Sequence, residues 1–134
     1  MSPIREHMNR NILEFTVPED FEIACRIQAF QGKICVGYAN LFRKENIAIL
    51  ADICVYDRSK SLCRFLPKLR IGTNYRNKGI GSALLRQVIR FCKENDISTI
   101  KGEAKGDLDI LIPWYKKHGF DIAENNKITM ELHH

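Results

Sequence analysis

The spacing of apolar residues changes part-way along the chain, and this change constrains the fold more than any other feature. Up to residue 71, apolar side chains alternate with polar ones, as they do in half-buried strands. From Gly79 to Glu94 they recur at steps of three and four, as on one face of an amphipathic helix. Strands followed by a helix predict a mixed α+β fold, in which a β-meander precedes the helix.

Strand patterns occupy most of the first half of the chain. Alternation predicts a strand over each of five segments, which are 12–17, 21–31, 34–42, 47–55 and 62–71. Short polar or glycine-containing turns separate most of these segments, so we expect them to pair as an antiparallel meander. Pro67 lies inside the last segment, and a proline there indicates an edge strand or a bulge.

A short strand is expected over 97–103, directly after the helix. Because strand, helix and strand form a right-handed crossover, this strand should lie parallel to the strand over 62–71. Further strands over 120–123 and 128–132 predict a C-terminal β-hairpin.

A second helix is expected to end near Lys117. Asp107 and Asp109 are candidate caps for its N-terminus. Pro113 complicates this helix, because a proline inside a helix removes an N–H and clashes one turn back. The helix should therefore begin near Pro113 or be kinked there.

Length and composition fit one globular domain, taken here as residues 1–134. No apolar run approaches the ~18 residues of a membrane span, and the first eleven residues are too polar for a signal peptide. The five cysteines contain no C-x-x-C pair, so no metal site is expected. Together these features predict a reduced, cytoplasmic protein without a membrane partner.

The net charge of +5 is spread over the chain, except between Lys68 and Lys78. Four basic residues fall there with no acidic residue among them. A local cluster of this kind suits a small phosphate-bearing ligand better than a nucleic acid.

The segment from Arg76 to Ser82 reads RNKGIGS and precedes the predicted helix. Gly79 and Gly81 remove side chains where the backbone must approach a ligand closely. The first N–H groups of a helix lack internal partners and carry the positive end of its dipole, so they bind anions. The segment is a candidate pyrophosphate site, although two glycines can also serve only to shape a tight turn.

A second motif, Trp114-Tyr115 followed by Gly119-Phe120, lies near the end of the second predicted helix. With the Arg-x-x-Gly-x-Gly pattern of residues 76–81, the chain resembles the GNAT superfamily of acyl-coenzyme-A-dependent N-acetyltransferases over roughly residues 33–132. The resemblance implies a GNAT-like three-layer α/β/α sandwich. It also implies acetyl-coenzyme A (acetyl-CoA) as co-substrate and a primary amine as acceptor.

The resemblance also implies roles for particular residues. Tyr115 would protonate the departing thiolate as general acid, and a backbone N–H near a bulge at Pro67 would stabilise the oxyanion. The strand-like backbone of 69–71 would pair with the pantetheine arm, and the 76–82 segment would hold the pyrophosphate. The implied coenzyme A (CoA) ligands are Leu69, Arg70, Ile71, Arg76, Asn77, Lys78, Gly79, Ile80, Gly81 and Ser82.

The general base is less clear, because the segment 62–71 lacks the glutamate that many GNAT members carry on their fourth strand. Glu103 is the candidate base by position, with Asp52 and His118 as alternatives. Leu108 and Leu111 also stand where many members have Asn and Ala.

The N-terminal region departs furthest from the GNAT pattern. Many members insert two helices between their first two strands, whereas residues 21–31 alternate with a period of two. An acceptor cleft without these helices suits a bulky amine, such as a peptide amine, or a second subunit that completes it. A homodimer is therefore expected.

Three functions remain open from the sequence. The first is an N-acetyltransferase that moves an acetyl group from acetyl-CoA to a primary amine by direct attack. The second is a non-catalytic acyl-CoA sensor on the same fold. The third is a nucleic-acid-binding module that uses the basic segment 68–78.

Overall fold

The computed structural model describes residues 2–8, 11–56 and 75–133. These residues form eight strands and two helices. The strands are β1 (Ser2–Met8), β2 (Asn11–Val17), β3 (Ala24–Gln31), β4 (Ile34–Lys44), β5 (Ile47–Val55), β6 (Thr99–Glu103), β7 (Asp121–Ile122) and β8 (Lys127–Glu131). The helices are α1 (Tyr75–Glu94), between β5 and β6, and α2 (Leu108–Lys117), between β6 and β7. The mixed α+β class is thus confirmed.

All eight strands belong to one sheet in the order β1-β2-β3-β4-β5-β6-β8-β7. Neighbouring strands run antiparallel, with the exception of β5 and β6. The expected meander and C-terminal hairpin are present. The predicted strand over 62–71, with Pro67, lies outside the described residues.

The parallel partner of β6 differs from the prediction. Thr99 lies opposite Ile47 and Gly102 opposite Leu50, so the parallel neighbour of β6 is β5. The prediction assumed that β6 lies beside the strand directly before α1 in sequence. Which strands become neighbours, however, depends on register and burial across the sheet. Ala48, Leu50 and Ile100 are all buried at this junction.

Both helices pack on the same face of the sheet in the described part of the chain. Alternate residues of the central strands, such as Ile27, Ala39 and Ile53, are buried beneath the helices in one core cluster. On the opposite face Ile49 is 40% exposed and Lys101 is exposed. The three-layer sandwich was predicted with helices on both faces, whereas the described residues form one helical layer on one sheet. We call the other face the open face.

No described residue between 12 and 33 is helical. Residues 18–23 connect β2 directly to β3. The strand that alternation predicted over 21–31 is confirmed from residue 24 onward. Phe21 anchors this connection, because its buried ring stacks on Phe91 of α1 at a centroid distance of 5.4 Å. The helices that many GNAT members place here are thus replaced by a six-residue link.

Candidate active site

The two parallel strands β5 and β6 pair over only four residues. Pairing between β5 and β6 stops at Leu50 and Gly102, while β5 continues to Val55. On the other edge of β5, Asn40 lies opposite Asp52 and Leu41 opposite Leu50. Ala51 is therefore an extra residue, which is the signature of a β-bulge. Among the described residues, the backbone of β5 beyond Leu50 has no strand partner on this side, so its N–H and C=O groups there are unpaired within the sheet.

Gly102 permits the close approach of β5 and β6 at their last parallel pair, Leu50 and Gly102. A Cβ at this position would lie 3.0 Å from the carbonyl oxygen of Leu50 and 3.2 Å from Cδ1 of Ile128. Any larger residue must push β5 and β6 apart or displace Ile128. The glycine thus allows the last parallel pair to form.

Helix α1 begins at Tyr75, four residues before the sequence pattern predicted. The RNKGIGS segment therefore forms the first two turns of the helix rather than a loop before it. Gly81 and Ile80 are buried and Gly79 is half-buried. Because the first backbone N–H groups of a helix have no partner within it, this end of α1 is suited to an anion.

Ser82 joins the two helices. Its hydroxyl oxygen accepts a hydrogen bond from Trp114 Nε1 at 2.9 Å and lies 3.0 Å from His118 Nε2. Burial, followed by the charges of Arg86 and Lys117, lowers the pKa of His118 from its usual 6.5. We infer that the imidazole is neutral and accepts the Ser82 hydroxyl proton. These contacts fix α2 against the start of α1.

Tyr115 lies between the two α2 residues that contact Ser82 and is only 4% exposed. Its ring packs edge-on against Trp114 and Phe120, at centroid distances of 4.8 and 5.5 Å. Burial raises the pKa of the phenol above its usual 10. The side chain is therefore protonated at neutral pH, as a proton donor requires.

The end of α2 explains the Gly-Phe part of the second motif. Gly119 has a φ of +96°, which favours glycine. Its N–H donates to the carbonyl of Lys116 at 3.0 Å, and the N–H of Phe120 donates to that of Tyr115 at 3.1 Å. Pro113 lies inside the helix, which nevertheless runs from Leu108 to Lys117.

Glu103 ends β6, and its carboxylate is shared by two lysines. The distances are 3.2 Å to Lys127 Nζ and 3.6 Å to Lys105 Nζ. The hydrogen bond and charge of Lys127, with a smaller contribution from Lys105, lower the pKa of this carboxyl group. Ion pairing of this kind makes Glu103 a weaker proton acceptor.

Asp52 lies on the open face beside the Ala51 bulge. Its Oδ2 accepts a hydrogen bond from Asn40 Nδ2 at 3.3 Å, and Asn40 Oδ1 accepts one from Arg26 Nε at 2.8 Å. The sequence named Asp52 only as an alternative base and missed the other two residues. Strand register and the bulge decide that the three form one row, which alternation along any single strand does not show.

The remaining predicted site residues have different outcomes. Arg76, Asn77 and Lys78 lie in the first turn of α1, as expected for a site at its N-terminus. The segment Leu69–Ile71 lies outside the described residues. Within the described part, no group of three or more His, Cys, Asp or Glu side chains is arranged to hold a metal, and no helix is long and apolar enough to span a membrane.

Comparison with known proteins identifies the family. Residues 4–120 match the model of the acetyltransferase (GNAT) family, so the chain belongs to this family. A search of curated protein sequences finds no significant match.

Solved structures with the same fold are N-acetyltransferases or GNAT family members. The ribosomal-protein-S18-alanine N-acetyltransferase of Escherichia coli is 18% identical, with a TM-score of 0.64 over 86% of this chain and 73% of that one. A GNAT family acetyltransferase from Elizabethkingia anophelis with acetyl-CoA bound is 19% identical, with a TM-score of 0.61 over 80% and 75%. The PaiA N-acetyltransferase of Thermoplasma acidophilum in complex with CoA is 16% identical, with a TM-score of 0.59 over 82% and 62%. This chain thus spans less than two thirds of the PaiA protein.

Proposed function

We propose that this chain is an acetyl-CoA-dependent N-acetyltransferase whose acceptor is a primary amine. The observation that carries the proposal is the end of parallel pairing between β5 and β6 at Leu50 and Gly102, while β5 continues to Val55. Among the described residues, the edge of β5 from Ala51 to Val55 therefore has no strand partner on the β6 side. Helix α1, which begins with the GNAT motif, contacts β5, and its Ser82 binds Trp114 next to Tyr115. Two of the similar structures were solved with CoA or acetyl-CoA bound.

The described residues fit CoA at two places. The N-terminal N–H groups of α1 would hold the pyrophosphate, with Arg76 and Lys78 adding positive charge. The pantetheine arm contains amide groups, and the edge of β5 from Ala51 to Val55, which has no strand partner there among the described residues, would offer backbone partners for them. The resemblance gave this role to Leu69–Ile71 as the strand parallel to β6, and in the structure β5 occupies that position.

The thioester supplies an activated acyl group. The chain would supply a base for the proton that the amine loses and an acid for the thiolate that departs. Asp52 would take the proton that the attacking amine must lose, since it lies beside the bulge and is not paired with a lysine among the described residues. Tyr115 would give its proton to the departing thiolate, a role supported by its position in the Trp-Tyr motif on α2, which contacts the start of α1 through Ser82. A backbone N–H at the Ala51 bulge is the corresponding oxyanion donor.

Isothermal titration with acetyl-CoA, followed by a thiol-release assay over a panel of amines, tests the proposal. We expect saturable binding at one site and amine-dependent release of CoA. Tight binding without release across the panel would instead establish the acyl-CoA sensor. Absence of cofactor binding, together with salt-dependent RNA binding, would establish the nucleic-acid module.

We also propose a cytoplasmic location. The described cysteines form no disulfide with one another, which suits a reducing compartment. Imaging of the tagged protein in intact cells tests this location, and an extracellular signal would contradict it.

A further inference from the structure

A row of charged side chains crosses the open face beside the bulge. Arg26, Asn40 and Asp52 are direct cross-strand neighbours on β3, β4 and β5. Asn40 links the other two, because its Oδ1 accepts from Arg26 and its Nδ2 donates to Asp52. The row therefore holds a guanidinium and a carboxylate that are separated by one amide group. We call these three residues the charged row.

The Arg26 side chain is held in place although it is exposed. Its guanidinium lies 4.2 Å from the ring centroid of Tyr38, and its Nε is bonded to Asn40. The two terminal nitrogens make no hydrogen bond or ion pair with any other residue in the described ranges. A guanidinium that is already ordered loses little freedom on binding, and its planar fork matches a carboxylate.

The surroundings of the charged row limit what can bind there. Phe42 and Ile49 form an exposed apolar pair on one side, and Tyr38 closes the other side, 6.0 Å from the ring of Tyr56. Asp52 disfavours a polyanion, while a simple alkyl amine would leave Arg26 unused. The row suits a small ligand with one positive and one negative group.

We propose that the acceptor is an amine that carries a carboxylate a few bonds away, as a free amino acid does. This inference rests on the proposed function and names the class of acceptor. Arg26 binds the carboxylate through its terminal nitrogens. Asp52 receives the ammonium group and places the amine beside the Ala51 bulge. Arg26 thus determines which acceptor binds and takes no part in the acetyl transfer described above.

Matched acceptors test the proposal. β-Alanine and β-alaninamide carry the same primary amine and differ in the carboxylate, so the ratio of their kcat/KM values reports its recognition. We expect the ratio to favour β-alanine by about tenfold or more, as a hydrogen bond to a charged group provides. Arg26→Gln should bring the ratio close to one, mainly by raising KM for β-alanine. Arg26→Lys should restore part of the preference, because the charge remains and the fork is lost.

Arg90→Gln is the matched control, since Arg90 lies on the exposed side of α1 and pairs with Glu94. It should leave the ratio unchanged. A short peptide with N-terminal aspartate serves as a second acceptor that carries a carboxylate near its amine. Acetylation of this peptide would indicate a peptide acceptor, and its rejection would indicate a free amino acid. Equal use of β-alanine and β-alaninamide by the parent enzyme, or an unchanged ratio in Arg26→Gln, would overturn the proposal.

A binding measurement separates this inference from the proposed function. β-Alanine and β-alaninamide are titrated into the parent and Arg26→Gln in the presence of CoA. If no amine is acetylated, the proposed function fails, yet selective binding of β-alanine that depends on Arg26 still supports the carboxylate site. Equal or absent binding of both ligands to the parent rejects the site regardless of activity.

Discussion

Tyr115 shows how burial prepares one side chain for its proposed role. The phenol is buried among aromatic rings, which raises its pKa and keeps the proton on the oxygen. Phenylalanine has the same ring, so Tyr115→Phe retains the contacts with Trp114 and Phe120. We expect kcat to fall by about 10²–10⁴-fold, as for loss of a general acid, with the Kd for acetyl-CoA almost unchanged. Steady-state kinetics and titration measure both values, and an unchanged kcat would remove Tyr115 from the mechanism.

Arg43 holds the six-residue connection between β2 and β3 against the end of α1. Its Nη1 donates to the carbonyl oxygens of Phe21 at 2.8 Å and Asn95 at 3.1 Å, which joins this link to the end of α1. Arg43→Gln should lower the free energy of unfolding by about 2 kcal/mol, because part-buried carbonyls lose charged donors. Urea denaturation measures this change. Arg90→Gln, which breaks an exposed pair, should cost less than about 0.5 kcal/mol, and equal losses would contradict the role of Arg43.

His118 predicts a specific dependence of stability on pH. Its pKa is lowered in the folded chain, so the unfolded chain binds the proton more readily. The contribution of neutral His118 to the free energy of unfolding is fully present above its pKa in the unfolded chain, about 6.5. This contribution is lost as the pH falls through its pKa in the folded chain. We expect the Tm of the parent to fall below pH 6.5 more steeply than that of His118→Gln. Parallel slopes in thermal melts between pH 7.5 and 5 would contradict this assignment.

At the scale of elements, the start of α1 combines a helix terminus with two glycines. Gly81 is buried in the second turn, so a branched side chain there must project into the packed surroundings of the site. Gly81→Val should weaken acetyl-CoA binding by about tenfold or more. Because valine is a better helix former than glycine, α1 itself should be retained. Titration measures the affinity and circular dichroism the helix content.

Lys93→Val is the control for this variant, since Lys93 is exposed at the other end of the same helix. It should bind acetyl-CoA as the parent does. If Gly81→Val also binds with the affinity of the parent, the start of α1 does not hold the pyrophosphate.

At the scale of the whole molecule, the sheet has one face without helices in the described part. Phe42 is 50% exposed and Ile49 40% exposed on it, and β1 is an edge strand. Exposed apolar residues and strand edges both favour self-association, so a homodimer at micromolar concentration remains our prediction. Light scattering measures the mass, and Phe42→Lys should shift the protein towards the monomer. A parent that is monomeric over this range would contradict the prediction.

Local patterns were enough to predict the strands from β2 to β5 and the body of α1. These elements follow from apolar spacing and turn residues that lie next to one another in the chain. The RNKGIGS segment and the Trp-Tyr motif were recognisable for the same reason, because their function depends on short-range geometry at a helix end. The sequence therefore determined the family and the identity of Tyr115 as a candidate.

The tertiary structure decided which distant residues became neighbours. The parallel partner of β6, the bulge at Ala51 and the charged row from Arg26 to Asp52 depend on register across the sheet. A shift of one residue would move all of these side chains to the other face, and nothing local to any one strand specifies that register. The ion pairs of Glu103 likewise come from Lys127 on a neighbouring strand. Apolar spacing along a chain indicates which residues of a strand share a face. Only the packing of the whole sheet decides which face is buried and which residues become neighbours across the strands.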